Sequence, residues 1–314
     1  MILTRCFFAF FRYTGVLKLQ AIYDLYPQIA ASAIAFSVAL SAHLYLSSFL
    51  KGKLLAEGGT SKSTVYNFFM GRELNPRIGT FDLKCFCELR PGMIGWTVIN
   101  LGFACKQYST QGYVSIPMVL VTALQGLYTW DALYHESAIL STMDITTEGF
   151  GYMLALGDLA WVPFAYSLQG LYLVNHDPGM PVWYYAAVAA FGGLAYAAFR
   201  GSNGQKDRFR RLYKTNPELF DDLPSMPTKR GTRLITGGWW GICRKINYTC
   251  DIGMALSWSL CTGGAILPYF YPVYLFGLLL HRAFRDDNFC AQKYGDDWEE
   301  YKKKVPYMLI PGLF

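Results

Sequence analysis

Residues 270–298 read F-Y-P-V-Y-L-F-G-L-L-L-H-R-A-F-R-D-D-N-F-C-A-Q-K-Y-G-D-D-W. This stretch passes directly from an apolar run into a cluster of charges. The apolar run ends at Leu280, and Arg282 and Asp286 follow at positions i and i+4, so a helix places them on one face. Arginine suits phosphate groups because it donates paired hydrogen bonds. A cationic cluster that only anchors a helix end has the same composition. The segment therefore predicts a membrane helix with either a phosphate site or an anchor at its mouth.

Further apolar runs extend this prediction to the whole chain of 314 residues. The sequence is 53% apolar and 16% charged, whereas a soluble protein carries about 25% charge. Several runs are long enough to cross about 30 Å of hydrocarbon. The predicted fold is an all-α transmembrane bundle of about seven or eight spans, with residues 2–11 as a weak signal peptide or the remnant of a span. The predicted spans are 26–50, 92–104, 113–130, 150–174, 182–199 and a hairpin over 252–280.

The distribution of charge predicts which side of the membrane the loops face. Residues 200–233 contain nine Lys or Arg and four acids within a chain of net charge +6. The positive-inside rule assigns such a loop, and the basic C-terminal segment, to the cytosol. Basic loops also occur in nucleic-acid-binding proteins, but the sequence has no base-reading module. Its four His lack zinc spacing and its eight Cys show no disulfide framework, so neither nucleic acid nor metal is expected as a partner.

Two long motifs resemble the signatures of the membrane sterol reductases, the family of the C14, C7 and C24(28) reductases and the lamin B receptor. Residues 279–298 match apolar-apolar-H-R-x-x-R-D-x-x-x-C-x-x-K-Y-G-x-x-W, and residues 65–77 read V-Y-N-F-F-M-G-R-E-L-N-P-R. The similarity begins near Tyr23. Members of this family usually carry further spans upstream, which this chain is expected to lack. The expected organisation is an N-terminal segment 1–25, with a possible truncated span, and a reductase domain 26–314 whose NADPH-binding portion is 200–314.

The resemblance also implies the cofactor and its contacts. Residues 199–210 match F-R-G-x-N-x-Q-K-x-x-F-R, and residues 238–251 match G-W-W-G-x-x-R-H-P-N-Y-x-x-D except that Lys245 and Ile246 replace His-Pro. No G-x-G-x-x-G follows a strand, so a Rossmann domain has no support. Without the resemblance, a solvated basic loop and an interfacial Trp belt explain the same residues. The implied NADPH contacts are Lys206, Arg210, Ile235, Trp240, Asn247, Tyr248, Asp251, Arg282, Asp286 and Tyr294.

Polar side chains within the predicted spans are candidates for the chemistry, because such groups are costly in a membrane. Reduction of an alkene needs a proton donor as well as a hydride. Tyr128 is the first candidate donor and Tyr166 the second, with Asp131 as the acid that can polarise a tyrosine. Asp286 is a further candidate catalytic residue, expected to bond the ribose or nicotinamide end of the cofactor. Hydrogen bonding between helices is the alternative role for these polar groups.

The family implies an NADPH-dependent reductase of the endoplasmic reticulum membrane, or of the contiguous inner nuclear membrane, that acts on a sterol and contacts membrane lipid. Residues 71–92 are more similar to the C14 reductases than to the C7 enzymes, which typically have a Trp before the Phe-Asp pair. The expected reaction is reduction of the C14–C15 double bond. The alternatives are a C7 reductase, a non-catalytic sterol-binding scaffold, and a membrane methyltransferase, whose C-terminal motif differs.

Overall fold

The computed structural model describes residues 19–140 and 142–313. The chain divides into two compact units, Met1–Gly179 and Met180–Phe314. Most of the described residues are helical, as predicted. Two short antiparallel hairpins that the sequence did not predict interrupt the helices. The apolar start 2–11 lies outside the described residues.

The first unit consists of short and long helices with one small hairpin, β1–β2. Its α-helices are α1 Ala21–Asp24, α2 Tyr26–Ser47, α3 Thr64–Met70, α4 Leu83–Cys87, α5 Gly95–Gln111, α6 Ile116–Tyr134, α7 Glu136–Ile139, α8 Met143–Thr146, α9 Tyr152–Leu156 and α10 Leu168–Leu173. Strand β1 is Arg77–Ile78 and β2 is Phe81–Asp82. A 3-10 turn covers Glu57–Thr60, and π-helical segments cover Glu88–Ile94 and Gly157–Ala165.

The predicted spans of this unit fold in different ways. Region 26–50 forms one helix, α2, and region 113–130 forms α6. Region 150–174 is not one regular α-helix but α9, a π-helical segment and α10 in succession. The reason is Pro163, which lies in the π-helical segment, since proline has no N–H to donate and its ring clashes with the preceding turn.

A junction of loops in the first unit depends on glycine. Gly71 ends α3 with φ +89°, a conformation that L side chains rarely adopt. A Cβ on Gly71 would lie 2.3 Å from the backbone nitrogen of Gly151, and one on Gly149 would lie 2.1 Å from the carbonyl oxygen of Gly71. The amide of Phe150 donates to the carbonyl of Glu73 at 2.9 Å. The two loops therefore contact each other through their backbones, with no room for side chains between them.

Lys84 of α4 forms hydrogen bonds to the backbone of residues 144–148, directly before Gly149. It is 1% exposed, and its ammonium donates to the carbonyls of Asp144 at 2.6 Å, Ile145 at 3.2 Å and Glu148 at 2.7 Å. Burial lowers the pKa of Lys84 to about 8. All three ammonium hydrogens thus have an acceptor, which offsets part of the cost of burying the charge.

The second unit contains a long helix, a hairpin and a helical pair. Its α-helices are α11 Val182–Leu212, α12 Trp239–Ile242, α13 Ile246–Leu260, α14 Phe270–Tyr294 and α15 Asp296–Lys304. Strand β3 is Ser225–Pro227 and β4 is Arg233–Ile235, in the register Ser225↔Ile235, Met226↔Leu234 and Pro227↔Arg233. The 3-10 turns are Pro217–Phe220 and Leu267–Tyr269.

The predicted hairpin over 252–280 is present as α13 and α14. The turn between them is closed by Ser259, whose hydroxyl donates to the carbonyl of Pro268 at 2.8 Å. The rings of Trp258 and Tyr271 stack with centroids 5.5 Å apart. Helix α14 then continues beyond the apolar run for fourteen residues, to Tyr294, so the charged signature residues extend the same helix.

Two helices of the described ranges 19–140 and 142–313 are long and apolar enough to cross a membrane. They are α2, with 22 residues, and α11, with 31 residues. The number of spans and the side on which the loops lie stay predictions. Within α11, apolar residues fill the first half and Lys and Arg the second, so one continuous helix carries the predicted span 182–199 and the basic motif.

Candidate active-site regions

The second unit contains a pocket that is mainly cationic, here called the cationic pocket. Its lining includes five cations and one carboxylate. Aromatic and aliphatic side chains form the rest of the wall. Because the charges are strongly unbalanced, the pocket suits a ligand with several negative charges. The charged lining residues are Lys206, Arg210, Arg233, Arg244, Lys245 and Asp286.

Helix α11 supplies Lys206 and Arg210, one turn apart. The ammonium of Lys206 lies 4.0 Å from the ring centroid of Trp240, a cation–π distance. Trp240 is 4% exposed, and its indole N–H donates to the carbonyl of Ser202 at 2.8 Å. Trp240 therefore packs against α11 and is fixed by a hydrogen bond, and it forms a rigid base under the Lys206 ammonium.

Strand β4 brings Arg233, Leu234 and Ile235 to the pocket. The Arg233 guanidinium donates from Nη2 to the carbonyl of Ser225 at 2.7 Å and from Nε to the Ser225 hydroxyl at 3.0 Å. The turn of the hairpin is tied to α15, because the amide of Lys229 donates to Oδ2 of Asp297 at 2.7 Å. The hairpin is thus held at both ends.

The C-terminal segment fixes Arg244 and Lys245. The amide of Arg244 donates to the carbonyl of Tyr307, and the amide of Lys245 to that of Met308, both at 2.9 Å. The Arg244 guanidinium also donates to the carbonyls of Val305 at 2.9 Å and Pro306 at 2.6 Å. These hydrogen bonds to residues 305–308 therefore fix the short segment that precedes α13.

Helix α14 contributes Asp286, Cys290 and Tyr294, which lie on one helical face at intervals of four residues. The ammonium of Lys245 pairs with Oδ2 of Asp286. The neighbouring Asp287 accepts from the indole N–H of Trp298 at 3.2 Å. Gly295 ends the helix with φ +55°, which lets the chain reverse into α15 and return Trp298 to the same wall.

The cationic pocket brings together six of the ten predicted cofactor residues: Lys206, Arg210, Ile235, Trp240, Asp286 and Tyr294. The other four do not line it. Asn247 donates to Oδ1 of Asn203 at 3.4 Å, and Tyr248 packs with a cluster at the C-terminal segment. Asp251 is buried in α13, and Arg282 lies one turn before Asp286 on α14.

Sequence reasoning missed several lining residues. Arg244 occupies the fixed Arg of the G-W-W-G-x-x-R pattern, so that pattern held a signal for it. Arg233 was interpreted only as one of the basic residues of the loop 200–233. Lys245 was interpreted only as a departure from the family pattern. Cys290 is the fixed Cys of the C-terminal motif and lies four residues from both Asp286 and Tyr294, so helical spacing held a signal for it. Tyr301, by contrast, reaches the pocket only because the chain reverses at Gly295.

The first unit has a different polar centre, here called the Gln125 cluster: Trp96, Asn100, Gln125 and Gln169. Oε1 of Gln125 accepts from the Trp96 indole at 3.0 Å and from Asn100 at 2.6 Å. Nε2 of Gln125 donates to Oε1 of Gln169 at 3.1 Å and to the carbonyl of Tyr166 at 3.2 Å. All four cluster side chains are at most 1% exposed. The cluster links α5, α6 and α10 by hydrogen bonds between helices.

Both candidate proton donors pack on one member of this cluster. The ring centroid of Trp96 is 5.8 Å from that of Tyr128 and 5.4 Å from that of Tyr166. Trp96 is fully buried, whereas both tyrosines are half-buried. The fixed indole therefore orients two phenol rings that come from different segments of the sequence.

Asp131, the acid expected to polarise a tyrosine, has a partner on its own helix. Its Oδ1 lies 3.3 Å from Nδ1 of His135. Asp131 is 5% exposed. The pair lies at i and i+4 near the end of α6. A protonated imidazole therefore forms an ion pair with the carboxylate. The role of Asp131 toward Tyr128 stays a prediction.

Comparison with known proteins places the chain in a family. The Ergosterol biosynthesis ERG4/ERG24 family matches residues 1–314. The chain belongs to this family. The match covers both the cationic pocket and the Gln125 cluster, and the predicted relationship to the sterol reductases is confirmed.

Curated relatives are similar over most of this chain. Delta(14)-sterol reductase erg24 of Schizosaccharomyces pombe is 48% identical over 302 residues, which are 96% of this chain and 71% of that protein. Delta(14)-sterol reductase LBR of Gallus gallus is 51% identical over 93% of this chain and 46% of that protein. Delta(14)-sterol reductase TM7SF2 of Mus musculus is 48% identical over 83% and 62%. The chain thus spans between about half and seven-tenths of the length of these relatives.

Proposed function

We propose that this protein is a delta(14)-sterol reductase, an oxidoreductase that uses NADPH to reduce the C14–C15 double bond of a sterol in the endoplasmic reticulum membrane. The observation that carries the proposal is that the second unit contains a cationic pocket and the first unit a buried neutral cluster on which two tyrosines pack. The pocket suits a polyanionic cofactor and the cluster an uncharged lipid. The names of the three relatives support the same reaction.

NADPH fits the chemistry of the cationic pocket. Its pyrophosphate and 2′-phosphate carry several negative charges, and the lining has five cations against one carboxylate. Lys206 and Arg210 would hold the 2′-phosphate, which NADH lacks. Arg233 and Arg244 would face the pyrophosphate, and the flat rings of Trp240 and Tyr294 suit the bases. When bound, NADPH supplies the hydride.

The residues of the first unit would supply the proton. Protonation of the alkene at C15 places positive character on C14, the more substituted carbon, which the hydride then reduces. Tyr128 would donate the proton from its phenol. The hydrogen-bonded Trp96 indole would hold the ring so that its hydroxyl meets the alkene carbon in a fixed geometry.

Burial serves this chemistry as well. Cationic character on a sterol carbon is quenched by water, so the pocket must exclude it. Both polar atoms of the Gln125 amide have partners among the cluster and the Tyr166 carbonyl, whereas Oδ1 of Asn100 is buried without one among the described residues. The cluster carries no formal charge, so it attracts water next to an apolar substrate less than an ionised group would.

The direct test is conversion of a Δ8,14-sterol diene by the purified full chain in lipid nanodiscs with NADPH. We expect loss of the C14–C15 double bond by mass spectrometry and NMR, with NADPH preferred over NADH. Expression in yeast strains that lack either the C14 or the C7 reductase supplies the control for regiochemistry. Rescue of the C7 strain alone would show that the protein reduces the C7 double bond and not the C14–C15 double bond. Lack of conversion of any sterol would contradict the proposal that the protein is an enzyme.

A further inference from the structure

Lys245 is a lysine where the sterol reductase pattern has histidine, and the structure locates it in the wall of the cationic pocket. Its side chain is 11% exposed and that of its partner Asp286 is 34% exposed. The ammonium of Lys245 donates to Oδ2 of Asp286. The pair is therefore buried on the lysine side and open to the pocket on the carboxylate side.

The backbone of Lys245 is held independently of this ion pair. Its amide donates to the carbonyl of Met308 at 2.9 Å, next to the matching bond from Arg244 to Tyr307. Its ammonium lies 5.8 Å from the ring centroid of Tyr248. A cation anchored in this way is pre-organised, since it needs no ordering when a ligand arrives.

We propose that Lys245 is a further cofactor-binding residue: its ammonium orients the Asp286 carboxylate and adds a fixed positive charge that binds the phosphate groups of NADPH. The inference rests on the proposed function and deepens it. A lysine at this position keeps the charge over a range of pH in which a histidine loses it.

The difference in titration gives the proposal a measurable signature. Burial lowers the pKa of Lys245 to about 8, whereas an ordinary His has a pKa of about 6.5. Lys245 thus stays largely charged up to pH 7.5, while the same burial would lower the pKa of a histidine there below 6.5, so that it loses its charge over about pH 4.5–6.5. The charged and titratable groups around Lys245 are Lys206 and Arg210 of α11, Arg244 and Tyr248 beside it, Asp286, Asp287 and Cys290 of α14, and Tyr301 of α15.

The experiment compares the NADPH Kd of Lys245→His with that of the unchanged chain across this pH range. Cofactor fluorescence and calorimetry measure binding to the purified full chain without substrate. Lys206 is common to both proteins, but burial, Arg210 and Lys245 lower its pKa to about 7. This pKa rises when residue 245 is neutral, which reduces the ratio of the two Kd values without reversing its direction. We expect this ratio to rise about tenfold from about pH 4.5 to 7.5, the loss of one charge-assisted contact.

Lys304→His is the matched control, because Lys304 pairs with Glu300 on the surface of α15 and does not line the pocket. Its Kd ratio should stay constant with pH. A constant ratio for Lys245→His, or an equal rise in Lys304→His, would overturn the assignment of Lys245.

Lys245→Arg gives a second test that keeps the cation and so removes dependence on the stability of the histidine variant. Arginine stays charged throughout this pH range, so the unchanged chain should lose affinity relative to this variant by several-fold between pH 7 and 9. Parallel pH profiles would overturn the inference while leaving the proposed function intact. Failure of the unchanged chain to bind NADPH at any pH would overturn both.

Discussion

The Gln125 cluster and the cationic pocket solve the problem of buried polar groups in opposite ways. In the cluster of the first unit, neutral amide and indole groups satisfy one another at 2.6–3.2 Å. In the pocket of the second unit, five cations share a lining with one carboxylate. Neutral groups lose little when they are sealed from water in mutual contact, but like charges repel unless an anion joins them. The difference indicates that the neutral groups of the first region need little beyond their own contacts, with Oδ1 of Asn100 as the exception, whereas the charges of the second region favour an anionic ligand.

The sharpest test of this comparison removes the proposed acid beside the cluster. Tyr128→Phe keeps the ring that packs on Trp96, so folding should hardly change. The rate of sterol reduction should fall about 10²–10⁴-fold, the usual contribution of general acid catalysis, while the NADPH Kd stays the same. Single-turnover kinetics and cofactor titration measure the two quantities.

Tyr134→Phe is the control for that substitution, since Tyr134 lies on the same helix, is 71% exposed and stacks on Trp130. Its rate should be unchanged. Full activity in Tyr128→Phe would transfer the proton-donor role to Tyr166, whose Phe variant is the next to measure.

The second test removes two charges from the pocket. Lys206→Ala with Arg210→Ala should weaken NADPH binding by about 10²-fold, as each charge-assisted contact contributes about 1.5–3 kcal/mol and the two share one ligand. NADH lacks the 2′-phosphate, so its affinity should change much less and the preference for NADPH should fall. Isothermal titration with both cofactors measures this, and an equal loss for NADH would show that the pair does not recognise the 2′-phosphate.

The third test asks whether a buried charge in the first unit has a structural role only. Lys84→Met leaves the carbonyls of Asp144, Ile145 and Glu148 without their shared donor, which should lower the free energy of unfolding by about 2–4 kcal/mol. Thermal unfolding in nanodiscs measures the loss. Lys62→Met, at an exposed position of the same unit, should be neutral. Unchanged stability in Lys84→Met would mean that these carbonyls find other donors.

The smallest effect is expected at Arg282, which does not line the pocket. Arg282→Gln should weaken NADPH binding by about tenfold, the loss of a single charge-assisted contact at the helix mouth. Cofactor titration of the folded variant checks this. Unchanged affinity would assign Arg282 to anchoring the end of α14, the alternative that the sequence left open.

Local sequence patterns account for much of what was predicted correctly. Apolar runs located helices α2, α6 and α11 and the α13–α14 hairpin, because burial of apolar surface and the cost of an unpaired backbone both favour helices in such runs. The four-residue spacing of Lys206 and Arg210 put both side chains on one helical face. Region 150–174 departed from one regular α-helix, since Pro163 outweighs the apolar composition around it.

The sequence by itself determined the helical character, the family and which residue types carry charge, since these depend on composition, on local periodicity and on two long motifs. Only the tertiary structure decided that Arg233 on a strand, Arg244 beside the C-terminal segment and Lys245 opposite Asp286 share one pocket, and that Tyr128 and Tyr166 pack on the same indole. The physical reason is the range of the contacts. Helical periodicity fixes neighbours three or four residues apart, whereas these groups meet through hydrogen bonds and packing between segments that lie tens of residues apart in the chain.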